Sequence, residues 1–138
     1  MVRDIVKDPL FLSIKSTDAG REDIKTAIDL LDTLNAHRHE CVGMAANMIG
    51  VSKRIIVFVD EQSGQPQLMF NPVIVSKSQP YETEEGCLSL PGVRPATRYE
   101  KISVEYLDMG LRRHKGTYTG FTAQIIQHEI DMTNGILI

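Results

Sequence analysis

Segments with strand-type patterns are grouped apart from segments with helical patterns, and this separation limits the fold class most. The strand-type segments, Arg54–Val59, Gln67–Ser76 and Ile102–Tyr106, are β-branched or alternate between apolar and polar residues. The helical segments, Ile24–Leu34 and Phe121–Met132, repeat apolar residues at spacings of three and four. Segregated strands and helices predict an α+β domain.

Proline and glycine residues predict where these segments begin, bend and end. Pro9 blocks helix propagation, so we expect the segment Ile5–Leu12 to be extended or irregular. Asn71-Pro72 predicts a bend inside the second strand. Asn134-Gly135 is a stop signal for the last helix.

Length and charge restrict the class of protein. A chain of 138 residues with 42% hydrophobic residues fits one domain, positions 1–138, with an ordinary core. Its net charge of -3 and the absence of a Lys/Arg stripe argue against binding DNA through phosphates. No apolar run is long enough for a membrane span, and two cysteines without a secretory signal predict free thiols and a cytoplasmic protein.

The last helical segment contains the run Gln127-His128-Glu129-Ile130-Asp131-Met132. Residues i and i+4 share a helix face, so His128 and Met132 point the same way. A second histidine at position 132 would complete the HExxH arrangement of zinc hydrolases. Because position 132 is Met, the run is also compatible with a His and a Glu on a solvent-facing helix surface.

Glu84–Gly92 places Cys87 in a tight segment that ends in Pro-Gly. A lone cysteine in such a segment is a small buried hydrophobe, a metal ligand or a nucleophile. The segment alone does not distinguish these roles.

Together, three runs resemble the signature motifs of the peptide deformylase family, in the same order. Gly43–Gly50 resembles G-L-A-A-x-Q-I-G, Glu85–Ser89 matches E-G-C-L-S, and Gln127–Met132 resembles Q-H-E-x-D-H. The segments Ile5–Pro9 and Asn134–Ile136 are also similar to the family. The resemblance implies a deformylase-like α+β fold, with mixed short β-sheets around a central helix that carries the metal site.

The resemblance implies removal of the formyl group from N-formylmethionyl peptides of new bacterial and organellar proteins. Family members hold a metal, usually Fe²⁺ and replaceable by Ni²⁺, Co²⁺ or Zn²⁺, with one Cys, two His and a water. By this resemblance Cys87 and His128 are metal ligands, and Glu129 is the base for the attacking water. The backbone N–H of Leu88 would stabilise the oxyanion, and Gly43 would pair with the extended peptide.

Two positions with chemical roles in the family differ here. Met132 stands at the second histidine ligand, and its soft, neutral thioether suits Fe²⁺ or Zn²⁺ poorly. Met48 stands at the glutamine that assists the oxyanion in the substrate site. Cys41 also replaces the first glycine of a G-x-G start. We expect both methionines to preserve folding and to weaken metal binding and catalysis.

Three functional hypotheses remain at this point. The chain is a metal-dependent deformylase, a catalytically inactive relative that binds formyl-peptides or nascent chain ends, or a hydrolase with Cys87 as nucleophile and His128 as base. The family resemblance also predicts an ion pair between Glu85 and Arg98. The basic run Arg112–Lys115 is either a solvated turn or a contact with the ribosome.

Overall fold

The computed structural model describes residues 1–137, in which three α-helices accompany one β-sheet. In chain order the elements are α1 Pro9–Leu12, α2 Ile24–Ala36, β1 Gly43–Ala45, β2 Ile55–Val59, β3 Pro66–Cys87, β4 Leu90–Leu107, β5 Arg113–Thr119 and α3 Gly120–Thr133. The α+β class predicted from the sequence is confirmed. No helix within these residues combines the length and the apolar character needed to cross a bilayer.

The five strands follow one another across the sheet in sequence order, and every neighbouring pair is antiparallel. The prediction of mixed short sheets was wrong in this respect, because β3 has 22 residues and β4 has 18. Short connections such as the turn Leu88-Ser89 allow only antiparallel pairing, whereas parallel strands need a long crossover.

Helix α3 lies in the interior and packs against β1, β2 and β4. Ten of its 14 residues are buried, including His128 and Glu129, so the alternative of a solvent-facing surface was wrong. The helix predicted at Phe121–Met132 is confirmed and extends one residue further at each end. The other predicted helix, α2, also begins at Ile24 and continues to Ala36.

The hydrophobic core lies between α2, α3 and the inner face of the sheet. The four residues Ile55–Phe58 of β2 are fully buried, and they pack with apolar residues from both helices and from β3. The largest fully buried side chains outside β2 include Leu12, Leu30, Leu34, Met44, Phe70 and Ile126. This core fixes α3 against β1, and the two elements form opposite sides of the site described below.

The N-terminal segment differs from the prediction, since Pro9–Leu12 forms the short helix α1. Asp8 has the extended backbone expected before proline, and its carboxylate accepts a hydrogen bond from the Leu10 N–H. Pro9 occupies the first helical position, where its missing N–H costs nothing. The proline therefore starts this helix instead of preventing it.

Strand β3 bends at Asn71-Pro72, as predicted. Asn71 has φ +53°, and the pairing with β4 shifts register between Phe70 and Val73. The Asn71 side chain accepts from the Ala19 N–H and donates to the Ala19 carbonyl. This double hydrogen bond holds the bend against the segment that precedes α2.

Gly135 ends α3 in a conformation that a side chain would strain. Its φ is +76°, and an added Cβ would lie 2.4 Å from the Ser13 carbonyl oxygen. Gly64 has a similar φ of +70° but no atom within 4 Å of the corresponding position. We expect Gly64→Ala to lower the free energy of unfolding by about 1–2 kcal/mol, because alanine is strained in the left-handed conformation. Gly135→Ala should lower it clearly more, because its Cβ would also clash with Ser13. Equal losses in urea denaturation would contradict the close approach between α3 and Ser13.

Candidate active site

A cavity of about 940 Å³ opens between the edge strand β1, the β3–β4 turn and α3. Six of the seven site residues predicted from the sequence line it: Gly43, Met48, Cys87, Leu88, His128 and Glu129. Its other walls include Lys7, Glu40, Cys41, Val42, Glu84, Glu85, Gly86, Ser89, Leu90, Pro91, Gly92, Phe121, Gln124 and Ile125. The three sequence motifs therefore meet at one cavity.

A buried network of hydrogen bonds fixes the His128 imidazole. Its Nδ1 lies 2.8 Å from Glu85 Oε1. Arg98 donates to both oxygens of the same carboxylate, over 2.9 Å from Nε and 2.7 Å from Nη2. Gln124 donates to Glu85 Oε2 over 2.9 Å, and the other end of Arg98 pairs with Asp131 at 2.7 Å. The predicted pair between Glu85 and Arg98 is thus present, and it holds the histidine through the carboxylate.

The network shifts the pKa of both partners. Burial raises the pKa of Glu85, but hydrogen bonds from His128, Arg98 and Gln124 outweigh it and lower the pKa to about 2. Burial lowers the pKa of His128, and its hydrogen bonds with Cys87 and Glu85 raise that pKa to about 10. Glu85 is therefore a carboxylate that attracts a proton to the imidazole.

Cys87 ends strand β3 and is half-buried at the cavity wall. The His128 imidazole lines the same cavity. Since Nδ1 faces Glu85, Nε2 is the nitrogen left for a partner at the cavity. Cys87 and His128 thus bring a thiol and an imidazole to one cavity.

Glu129 is the one carboxylate of α3 that faces the cavity without a fixed partner among residues 1–137. Its Oε1 is buried and makes no hydrogen bond, and burial raises the pKa of the carboxyl to about 7. A buried unpaired oxygen is costly, which indicates that water or a ligand satisfies it. The bare Cα of Gly43 leaves room for this side chain, because an added Cβ would lie 3.0 Å from Glu129 Oε2.

Strand β1 pairs with β2 on one side and borders the cavity on the other. The Val42 carbonyl accepts from the Val59 N–H, so the alternation of an antiparallel ladder directs the Gly43 carbonyl to the opposite edge. An extended peptide can add to such an edge as a further strand.

The two methionines are both buried, and neither offers a hydrogen-bond donor. Met48 lines the cavity, with its sulfur 3.5 Å from the Ala45 N–H. Met132 is fully buried in the hydrophobic core and does not line the cavity. Its backbone carbonyl accepts a hydrogen bond of 2.8 Å from Asn47. The structure therefore brings together Cys87, His128 and Glu129, but not Met132.

The donors at the cavity do not fit a metal centre with one Cys and two His. Cys87 and His128 supply a thiol and an imidazole, and the third position is a core methionine. Within residues 1–137, no three His, Cys, Asp or Glu side chains are placed to share one metal ion. A catalytic site with three protein ligands needs one more donor than this arrangement provides.

Sequence reasoning missed two polar residues at the cavity. Gln124 lies one helical turn before His128, so i,i+4 spacing places it on the same face, where it binds Glu85. Ser89 follows Cys87 in the β3–β4 turn, and its buried hydroxyl has no hydrogen-bond partner within the described part of the chain. The i,i+4 spacing from His128 could have predicted the position of Gln124. The burial of Ser89 could not be predicted in this way, because it depends on how β3 pairs with β4.

Comparison with known proteins agrees with this site. A sequence profile of the polypeptide deformylase family matches residues 2–138. A peptide deformylase of Clostridium beijerinckii is 54% identical over 138 residues, which cover the whole of both chains. The chain therefore belongs to the polypeptide deformylase family, as its motifs indicated.

Solved structures of deformylases share the fold. A peptide deformylase from Legionella pneumophila superposes with a TM-score of 0.87 at 37% identity, over 99% of this chain and 83% of that one. A deformylase from Acinetobacter baumannii with bound Met-Ala-Ser also has a TM-score of 0.87, at 28% identity over 99% and 97% of the two chains. The deformylase-like fold predicted from the sequence is confirmed.

The buried network predicts a large loss of stability when Arg98 is replaced. Arg98→Met leaves the Glu85 carboxylate buried beside fewer donors, so we expect a loss of about 3–5 kcal/mol in urea denaturation. Asp18→Asn is the control, because it breaks an ion pair with Arg54 in which Asp18 is 75% exposed. That change should cost less than about 1 kcal/mol. Similar small losses in both variants would show that the buried pair does not support the site.

Proposed function

We propose that this chain hydrolyses the N-formyl group of N-formylmethionyl peptides from newly made proteins. The observation that carries the proposal is the meeting of Cys87, His128 and Glu129 at one cavity, in a member of the deformylase family. The cavity is large enough for the first residues of a peptide. The unpaired oxygen of Glu129 provides a proton acceptor inside it.

The substrate binds in our proposal as an extended strand along β1. The Gly43 carbonyl accepts from a peptide N–H, and the formyl group points inward to α3. Phe121 and Ile125 on α3 supply apolar wall for the methionine side chain. The Met-Ala-Ser peptide in the Acinetobacter baumannii deformylase has the sequence type of a deformylated product, which supports this substrate class.

The chain's own groups supply the proton transfers of hydrolysis. Glu129 takes a proton from the attacking water and gives a proton to the leaving amine. The backbone N–H of Leu88, in the β3–β4 turn, is our candidate donor to the oxyanion. Met48 supplies no donor, so oxyanion stabilisation rests on fewer groups than the family motif provides.

The family depends on a metal, and we propose Fe²⁺ as the ion, with Zn²⁺, Ni²⁺ and Co²⁺ as alternatives. Cys87 and His128 would hold it, since Met132 packs in the core. Two protein ligands predict weak binding, because each lost ligand removes a large share of the affinity.

We also propose that residues 1–138 act as one domain in the cytoplasm, where formylated chains emerge from the ribosome. The exposed residues Arg112, Arg113 and Lys115 at the start of β5 are a candidate contact with ribosomal RNA. The net charge of -3 argues against general binding of DNA through phosphates, so a contact with RNA would be confined to these basic residues.

Formate release tests the proposed reaction directly. We expect the protein to release formate from formyl-Met-Ala-Ser, measured with a coupled formate assay, and to leave acetyl-Met-Ala-Ser intact. Glu129→Gln keeps the shape of the side chain but removes the proton acceptor, so the rate should fall by about 100- to 10,000-fold. An unchanged rate in this variant would exclude Glu129 as the base.

The alternative function is binding of formyl-peptides without hydrolysis, and Met48 and Met132 favour it. It predicts saturable binding of formyl-Met-Ala-Ser in calorimetry and no formate release with any of the four metals. A protein that neither binds formyl-Met-Ala-Ser nor releases formate from it would contradict both functions.

Position 132 can be tested through metal affinity. We expect Met132→His to bind Fe²⁺ or Zn²⁺ at least about 10- to 100-fold more tightly, in competition with a chromophoric chelator, because it adds the missing ligand. Met132→Leu is the matched control and should leave the affinity unchanged.

Addition of Cys87→Ser to Met132→His should remove the gain if the new histidine shares an ion with Cys87. Circular dichroism confirms that each variant is folded. Equal metal affinities for the original protein and the folded Met132→His variant would place position 132 away from the ion.

A further inference from the structure

Helix α3 places one polar side chain, Gln124, between the apolar residues of the cavity wall. Phe121 precedes Gln124 by three positions and Ile125 follows it directly, and all three residues line the cavity. Positions three and four apart share a helix face, so Gln124 lies on the side of α3 that faces the bound peptide in our proposal. A wall that holds only an apolar side chain needs no amide at this position.

Two hydrogen bonds fix the amide of Gln124. The Tyr81 hydroxyl donates to Gln124 Oε1 over 3.3 Å, and Gln124 Nε2 donates to Glu85 Oε2 over 2.9 Å. An ionised carboxylate can only accept hydrogen bonds, so the nitrogen of the amide, and not its oxygen, must face Glu85. Arg98 holds the same carboxylate through two further bonds, which gives the amide a fixed support.

This amide keeps one donor that the protein does not use. A side-chain amide nitrogen carries two N–H groups, and the bond to Glu85 is the one hydrogen bond that Nε2 makes among residues 1–137. Gln124 is half-buried and lines the cavity. A donor that is already held in one orientation favours a ligand that brings an acceptor atom to it.

We infer that Gln124 is a specificity-determining residue, whose second amide N–H donates a hydrogen bond to the sulfur of the methionine that begins the peptide. The inference rests on the proposed function, since it concerns the same substrate in the same cavity. Methionine fits this wall because its thioether sulfur is a weak acceptor on a flexible apolar chain. Phe121 and Ile125 contact the methylene groups, and Gln124 contacts the sulfur.

The hydrogen bond distinguishes methionine from an aliphatic side chain of the same length. Norleucine carries a methylene group in place of the sulfur, so it fills the same space but leaves the Gln124 N–H covered and unpaired. An unpaired donor shielded from water costs free energy, and a site with a fixed donor therefore rejects the analogue that lacks the acceptor. Because the thioether is a weak acceptor, we expect a preference of about 3- to 10-fold.

Binding of two peptides to the full chain tests the inference. The Glu129→Gln variant lacks the proposed base, so the peptides stay intact while calorimetry measures their Kd values. We expect formyl-Met-Ala-Ser to bind about 3- to 10-fold more tightly than formyl-norleucyl-Ala-Ser. Adding Gln124→Met keeps the length of the side chain but removes the donor, so this preference should disappear.

Tyr81→Phe, also added to Glu129→Gln, is the matched control. It removes the other hydrogen bond of the Gln124 amide, but Nε2 still faces Glu85, so the preference for methionine should remain. A change that only disturbs the network weakens the binding of both peptides alike and leaves their ratio unchanged. Circular dichroism checks that each variant is folded. Gln124→Asn, which withdraws the amide by one methylene group, serves the same test if Gln124→Met does not fold.

The outcomes separate this inference from the proposed function. Equal binding of the two peptides, tighter binding of the norleucine peptide, or a preference that persists in Gln124→Met would overturn the role of Gln124 and leave hydrolysis intact. A preference that is lost in Gln124→Met, in a protein that releases no formate, would support the role of Gln124 and contradict hydrolysis. A protein that binds neither peptide and releases no formate would overturn both.

Discussion

The ion pair between Arg98 and Glu85 is the interaction on which the site depends. Both side chains are nearly inaccessible, at 5% and 6% exposure, and the carboxylate accepts hydrogen bonds from Arg98 and Gln124 beside His128. A buried charge is tolerated only when it is paired and fully hydrogen-bonded. Because Glu85 comes from β3, Arg98 from β4 and His128 from α3, the network also joins the long hairpin to the central helix. These hydrogen bonds offset the cost of removing the two charges from water. The network also holds the His128 imidazole in one orientation.

Much of this architecture follows from local sequence patterns. The apolar spacing in Phe121–Met132 predicted α3 to within one residue at each end, and the motifs identified Cys87, His128 and Glu129 as neighbours. The second half of β3, from Lys77 to Cys87, could not be predicted in this way. Its residues are largely exposed and polar, and they are extended because they pair with β4 across a register that no local pattern contains. Helix α1 was missed because proline disrupts the interior of a helix but is tolerated in its first turn, where Pro9 lies. The sequence alone does not show which of these positions a proline occupies.

The position of Met132 shows a different limit. Helical spacing correctly places it on the side of His128, but spacing does not decide whether a side chain reaches a cavity or the core. Met132 is unbranched and apolar, so it packs among core residues, while its carbonyl is held by Asn47. Met132 is thus part of the hydrophobic core, with no exposed surface. Met48 behaves similarly, since its sulfur contacts the Ala45 N–H instead of presenting a donor to the cavity. The fold therefore accommodates both methionines as buried side chains.

The groups of the three motifs, in our proposal, act on one formyl-peptide in one orientation. A crystal structure of the Glu129→Gln variant with formyl-Met-Ala-Ser tests this most directly. We predict that the peptide extends along β1 with an N–H bonded to the Gly43 carbonyl, that the formyl group enters the cavity on the side of Glu129, and that the formyl oxygen faces the Leu88 N–H. A peptide bound away from β1, or with its formyl group pointing out of the cavity, would contradict the account.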